Sequence, residues 1–76
     1  MTTFWTPALL AECRNRRCVP FAALTKAARS MLIDAHGAGH VQVSYGVRWV
    51  AAPPATPMRN DEAYRLTPSF HPMSTK

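Results

Sequence analysis

Acidic residues are scarce in this 76-residue sequence, which has four Asp and Glu against nine Lys and Arg. None of the four acids lies between positions 13 and 33, where five of the cations are found. The net charge of +5 and the sequence pI near 10.0 predict attraction to a polyanion or to an acidic protein surface. So few carboxylates leave no paired-carboxylate site, and there is no glycine-rich phosphate loop, so we expect no enzymatic activity.

Cysteines are also few, and long apolar runs are missing. The two cysteines, Cys13 and Cys18, cannot build a disulfide scaffold and would stay thiols in a reducing compartment. No apolar run approaches the roughly 18 residues of a membrane span. The N-terminal segment MTTFWTPALLAEC lacks the charged and apolar regions of a signal peptide. We therefore expect no membrane association and a cytoplasmic location.

The clearest helical pattern covers residues 20–36, PFAALTKAARSMLIDAH. Apolar residues recur there at steps of three and four, so they form one stripe of a helix. Pro20 suits a first helical turn, and two glycines follow the last periodic residue as C-terminal caps. A shorter helix is predicted to start at Pro7, with Thr6 as its N-cap, and to end near Arg17.

After the glycines the apolar period changes to two, which predicts strands. Residues 40–52 alternate and are rich in Val, Tyr and Trp. Gly46 interrupts this segment and is either the turn of a hairpin or a bulge in one longer strand. A proline-rich loop over residues 52–61 precedes a last short strand at 62–67, and residues 69–76 are expected to form a flexible tail.

Together these elements predict an α+β fold, in which two helices pack on a small antiparallel sheet of two or three strands. Residues 1–68 would form a single domain, because a chain this short holds one marginal core. A core this thin favours a homodimer that buries part of the apolar face across a twofold axis. The predicted core consists of Leu9, Leu10, Cys13, Phe21, Leu24, Ala28, Met31, Leu32, Val41, Val43, Trp49, Tyr64 and Leu66.

The predicted elements follow the order helix, turn, helix, strand, proline-rich loop, strand. They include the two segments SMLIDAHGAGHVQV and EAYRLTP. Over residues 19–68 this arrangement resembles the winged helix-turn-helix DNA-binding module. The first segment is similar to that family's recognition helix running into its first wing strand, and the second resembles the second wing strand. The sequence departs from the family in showing two helices where three are usual, and a proline-rich wing.

The resemblance implies a transcription regulator whose second helix enters the major groove of DNA. Lys26 and Arg29 would then face DNA, with Thr25 and Ser30 as neutral donors. Arg14, Arg16 and Arg17 would bind phosphates, and Arg59 at the loop tip would contact the backbone or the minor groove. The residues predicted to bind nucleic acid or an acidic partner are Arg14, Arg16, Arg17, Lys26, Arg29, Arg48 and Arg59.

Two Cys and two His have nearly the pair spacing of a structural zinc site, namely Cys13 with Cys18 and His36 with His40. In one continuous helix the two cysteines would lie about 140° apart around the axis, so a shared ion requires the helix to end before Cys18. The alternative is a buried thiol at Cys13, with Cys18 at a helix end and the histidines in a glycine turn. No other cofactor is expected.

Aromatic residues are numerous for so small a core, so we expect some to lie on the surface as anchors for a protein partner. The candidate anchors are Trp49 and Trp5. In size and lack of catalytic motifs the chain resembles small phage or mobile-element proteins that bind and inhibit or adapt a host protein, anti-CRISPR proteins among them. This is the alternative to DNA binding, with the basic charge complementing an acidic partner.

Overall fold

The computed structural model describes residues 5–70, which form two α-helices, a short 3-10 helix and a three-stranded antiparallel sheet. The predicted α+β class, with two helices and a small antiparallel sheet, is confirmed. In chain order the elements are α1 (Pro7–Cys13), the 3-10 helix (Phe21–Ala23), α2 (Lys26–Gly37), β1 (Val41–Tyr45), β2 (Arg48–Ala51) and β3 (Tyr64–Leu66).

The first helix, α1, is shorter than predicted because the chain turns directly after it. Thr6 caps the N-terminus as expected, since its hydroxyl accepts a backbone N–H of the first turn at 3.1 Å. The helix ends at Cys13 instead of near Arg17, because Asn15 has a φ of 45°, which an α-helix cannot accommodate. Residues 14–17 therefore form a turn, and their three arginines lie outside the helix.

The single helix predicted over residues 20–36 is wrong in its first part. Leu24 and Thr25 have extended backbone, with ψ of 157° and 159°, which separates the 3-10 helix from α2. Thr25 is the N-cap of α2, since its hydroxyl accepts the Ala28 N–H at 3.2 Å. The Glu12 carboxylate accepts the Thr25 N–H at 2.7 Å and the Thr25 hydroxyl at 3.0 Å. An acid from α1 thus stabilises the positive end of the α2 dipole.

In the sheet, β1 is the central strand, because the order is β2-β1-β3 and both neighbours pair with it antiparallel. Tyr45 pairs with Arg48, so a two-residue loop of Gly46 and Val47 joins β1 to β2. The φ of Gly46 is 68°, as the first position of a type II′ turn requires. Gly46 therefore belongs to a hairpin turn and does not form a bulge.

The hairpin register places Trp49 on the opposite face of the sheet from the core. Because only two residues join the strands, Trp49 pairs with Ser44 and lies on the same face of the sheet as Ser44. The predicted core required Trp49 to lie on the face of Val43, which is wrong. Leu9 and Leu10 are partly buried at the core's edge, as is Val43. The buried core consists of Cys13, Phe21, Leu24, Ala28, Met31, Leu32, Ala35, Val41, Ala52, Tyr64 and Leu66.

Phe70 holds the chain beyond the last strand against the body of the protein. Its ring centroid lies 6.1 Å from that of Trp5, edge to face, and 4.9 Å from that of His40. Phe70 lies within the tail predicted over residues 69–76, and its ring packs against Trp5 and His40. The remainder of that predicted tail, 71–76, and residues 1–4 lie outside the described residues.

Candidate nucleic-acid interface

Asn15 organises the turn that carries the arginines. Its side chain is only 3% exposed, and its amide group donates hydrogen bonds to the carbonyl oxygens of Val19 at 3.0 Å and Tyr64 at 2.9 Å. Its amide oxygen accepts the Val19 N–H at 3.1 Å. One side chain thus closes the turn and attaches it to β3. The sequence pattern did not predict this role for Asn15. The signal that could have indicated it is an Asn, a residue that tolerates positive φ, inside a run of arginines.

The attached turn and β3 border a cleft of about 180 Å³. Arg14 and Arg16 line it from the turn, and Arg65 lines it from β3, together with Leu66 and Pro68. None of these lining residues is acidic. We call this feature the arginine cleft. The predicted binding set contained Arg14 and Arg16 but not Arg65, because strand alternation by itself does not show that β3 lies beside the turn.

A larger groove of about 490 Å³ is formed by α1, the turn and the 3-10 helix. Arg16 and Arg17 line it, but so do the apolar Val19 and Leu24 and the acidic Glu12. The mixture of charges makes this groove a weaker site for an anion than the arginine cleft. Arg16 belongs to both features and connects them.

The remaining predicted cations are scattered over the molecule. Lys26 is exposed at the start of α2, and Arg48 is exposed on β2. Arg29 is half-buried, and its Nε is shielded from solvent with no hydrogen-bond partner among the described residues. Arg59 forms an ion pair with Asp61 at 3.1 Å, and this hydrogen bond lowers the pKa of the Asp61 carboxyl. The charge of Arg59 is therefore already compensated within the chain.

The outward face of α2, the predicted recognition helix, carries little positive charge. Lys26 is exposed there, but Ile33 and Asp34 share the same surface. The Thr25 hydroxyl caps the helix and binds a carboxylate of α1 instead of standing free as a donor. Arg29 was predicted to face DNA; its Nε is shielded from solvent, and no observation on the described residues tests contact of its terminal nitrogens with DNA. Insertion of α2 into a major groove stays a prediction.

The four residues of the predicted zinc site do not come together. The Cys13 side chain is fully buried, and its thiol donates to a carbonyl oxygen of α2 at 3.6 Å, whereas Cys18 is exposed. His36 is buried and His40 is exposed. Within the described part of the chain, no group of three or more His, Cys, Asp or Glu is placed to hold a metal ion. The zinc interpretation is therefore wrong for this arrangement.

The two cysteines should differ sharply in their reaction with Ellman's reagent. Burial, and to a smaller extent the neighbouring Glu12 carboxylate, raises the pKa of Cys13 from 9.0 to about 12, so it is a protonated, inaccessible thiol at neutral pH. We expect the native protein to release thionitrobenzoate rapidly from Cys18 alone, and Cys13 to react after denaturation. Cys18→Ser, the control, should abolish the rapid phase. Rapid reaction of both thiols would contradict the buried position of Cys13.

The two tryptophans predicted as protein anchors have different environments. Trp5 is half-buried and packs edge to face on Phe70 beside the core, and its role as an interface anchor stays a prediction. Trp49 is half-buried on the face of the sheet away from the core, where the guanidinium carbon of Arg65 lies 4.5 Å from its ring centroid. Among residues 5–70, the exposed large apolar side chains are Ile33, Tyr45, Val47 and Val50.

No family model, curated protein or solved structure matches the chain. The winged-helix resemblance therefore depends on the two sequence segments that carry it. Within residues 5–70, no helix is long and apolar enough to cross a membrane.

Proposed function

We propose that this protein is a small nucleic-acid-binding regulator that contacts phosphates through the arginine cleft. The observation that carries the proposal is that Arg14, Arg16 and Arg65 line one concave feature without a carboxylate among its lining residues. Guanidinium groups bind phosphate oxygens through paired N–H donors and stay charged at physiological pH. A nucleic-acid backbone offers the successive phosphates that several neighbouring arginines require.

The distribution of charge supports a polyanion as the ligand. The net charge is +5, and among the described residues Arg59–Asp61 is the one salt bridge. The Glu12 carboxylate accepts two hydrogen bonds from Thr25 and is not among the residues that line the cleft. The charges of the arginine turn are therefore not compensated by ion pairs among the described residues, which favours release of counterions from a nucleic acid. A cytoplasmic location goes with this proposal.

A second candidate function is supported by the tip of the β1–β2 hairpin. Tyr45 is 71% exposed and Val47 is fully exposed, with Val50 also at the surface nearby. Exposed aromatic and branched side chains of this kind are typical anchors for protein partners. An inhibitor or adaptor of the phage type would bind an acidic host protein with this tip, and a homodimer would use the same surface. Such binding would survive moderate salt better than phosphate binding does.

Replacing the cleft arginines with neutral residues should lower the affinity for nucleic acid and make that affinity less dependent on salt. We expect the wild-type affinity for labelled oligonucleotides to fall by powers of ten from low to physiological salt. Each lost phosphate contact removes about 0.7–0.9 from the slope of log K against log salt, so Arg14→Gln and Arg16→Gln should each reduce the slope by about that amount, and together by about twice as much. Fluorescence anisotropy across a salt series measures these slopes.

The matched control is Arg59→Gln, which makes the same chemical change at the arginine paired with Asp61. It should leave the slope close to the wild-type value, because its charge is compensated within the chain. An equal reduction of the slope in Arg59→Gln and Arg16→Gln would mean that net charge, and not the cleft, determines binding. Absence of binding by the wild-type protein at low salt would overturn the proposed function.

A further inference from the structure

The sheet has a face that does not contribute to the core. Trp49 pairs with Ser44, and Arg65 pairs with Gln42, so the side chains of these four residues lie on one face. All four side chains are partly buried, and Trp49 is not among the apolar side chains that form the core or pack against it. We call this surface the open face. It combines one large aromatic ring with an arginine and two neutral polar groups.

Trp49 and Arg65 are held against each other on the open face. The Arg65 guanidinium carbon lies 4.5 Å from the Trp49 ring centroid, and its Nε donates to Gln42 Oε1 at 2.9 Å. The terminal nitrogens of Arg65 have no hydrogen-bond partner among the described residues. The aromatic surface and the cation are therefore ordered before a ligand arrives, which reduces the entropy lost on binding.

Arg65 also connects the open face to the arginine cleft. It lines the cleft with Arg14 and Arg16, and its side chain crosses to Trp49. The acidic residues of the chain all lie outside the three strands. A positively charged path without an intervening carboxylate on the strands therefore leads from the cleft onto an aromatic ring. A ligand that carries both phosphates and flat rings complements both ends of this path.

We propose that the open face is a platform for single-stranded nucleic acid, with a base stacked on Trp49 and Arg65 while the adjoining phosphates lie in the arginine cleft. This inference rests on the proposed function. Bases in a duplex stack on one another, whereas an unpaired base offers its face to an aromatic ring or to a guanidinium plane. Grooves that combine positive charge with aromatic platforms are how proteins bind single strands without sequence preference.

Binding of a single strand should report directly on Trp49 fluorescence. In a Trp5→Phe background, Trp49 is the sole tryptophan, and oligothymidine or oligouridine should quench its emission. Trp49→Ala should lower single-strand affinity about tenfold or more in anisotropy titrations, and Trp49→Phe should retain most of it, because stacking needs a ring. Val50→Ala, on the same strand but the other face, is the control and should bind as the wild type does.

The outcomes separate this inference from the proposed function. Wild-type affinity higher for the single strand than for a duplex of equal length, together with the loss in Trp49→Ala, would support the platform, and the thymidine and uridine series show whether DNA or RNA is preferred. Duplex binding that is equal or tighter, with Trp49→Ala unchanged, would overturn the platform and leave phosphate binding by the cleft in place. Absence of binding to every oligonucleotide would overturn both. Unchanged thermal melting of Trp49→Ala, a residue outside the core, ensures that a loss is not unfolding.

Discussion

We expect Asn15→Ala to lower the free energy of unfolding by about 3 kcal/mol, because one buried and two partly buried backbone groups lose their partner. The carbonyl oxygens of Val19 and Tyr64 and the Val19 N–H all bond to this one side chain. Alanine also tolerates the φ of 45° less well than asparagine does. The total free energy of unfolding of a domain of this size is about 4–11 kcal/mol, so the loss is a large fraction of it. Urea denaturation followed by circular dichroism measures it.

Two further variants make the test of Asn15 specific. Asn15→Asp keeps the acceptor and the tolerance for positive φ but loses both donated hydrogen bonds, and its charge would face two carbonyl oxygens, so we expect a similar loss. Asn60→Ala makes the same change as Asn15→Ala at an exposed loop position and should change stability by less than about 0.5 kcal/mol. Equal effects at Asn15 and Asn60 would show that the amide does not hold the turn on β3.

Leu32→Ala should destabilise the protein by about 2–5 kcal/mol, since the Leu32 side chain is fully buried and its truncation leaves a cavity. For a domain of this length, each kcal/mol lowers the melting temperature by about 4–8 °C. The neighbouring residue on α2, Ile33, is 54% exposed and supplies the control. Ile33→Ala should shift the melting temperature far less, and similar shifts for both variants would contradict the orientation of α2 in the core.

The sequence predicts the types of the elements because each has a strong local pattern. The α2 stripe places Ala28, Met31, Leu32 and Ala35 in the core, and all four are buried. The period of two in Tyr64 to Leu66 likewise predicts β3, whose outer residues are buried while the central Arg65 is not. Both patterns follow from side chains facing one core, which is a local property of an element.

Long-range contacts explain where the sequence prediction fails. The break before α2 depends on hydrogen bonds between Thr25 and Glu12, which belongs to another helix. The apolar periodicity within residues 20–36 cannot indicate that contact. The face of Trp49 depends on the number of residues in the hairpin loop, since one residue more would reverse it. Both errors therefore concern the relation between elements and not the elements themselves.

The candidate site was predictable only in part for the same reason. Composition identifies the arginine run, and Arg14 and Arg16 were predicted to contact an anion. Their position beside Arg65 depends on Asn15 bonding to a strand that lies 49 residues further along the chain. A helix ending near Arg17 would instead have placed these arginines in its last turn.

The most direct test of the arginine cleft as the binding site is a chemical-shift titration of the labelled protein with an oligonucleotide at low salt. We predict the largest shifts at the backbone amides of residues 14–17 and of Arg65, and at the indole N–H of Trp49. Shifts confined to the outward face of α2, around Lys26 and Ser30, would contradict this location and favour the winged-helix mode. Shifts confined to the hairpin tip, or no shifts at all, would contradict nucleic-acid binding through the cleft.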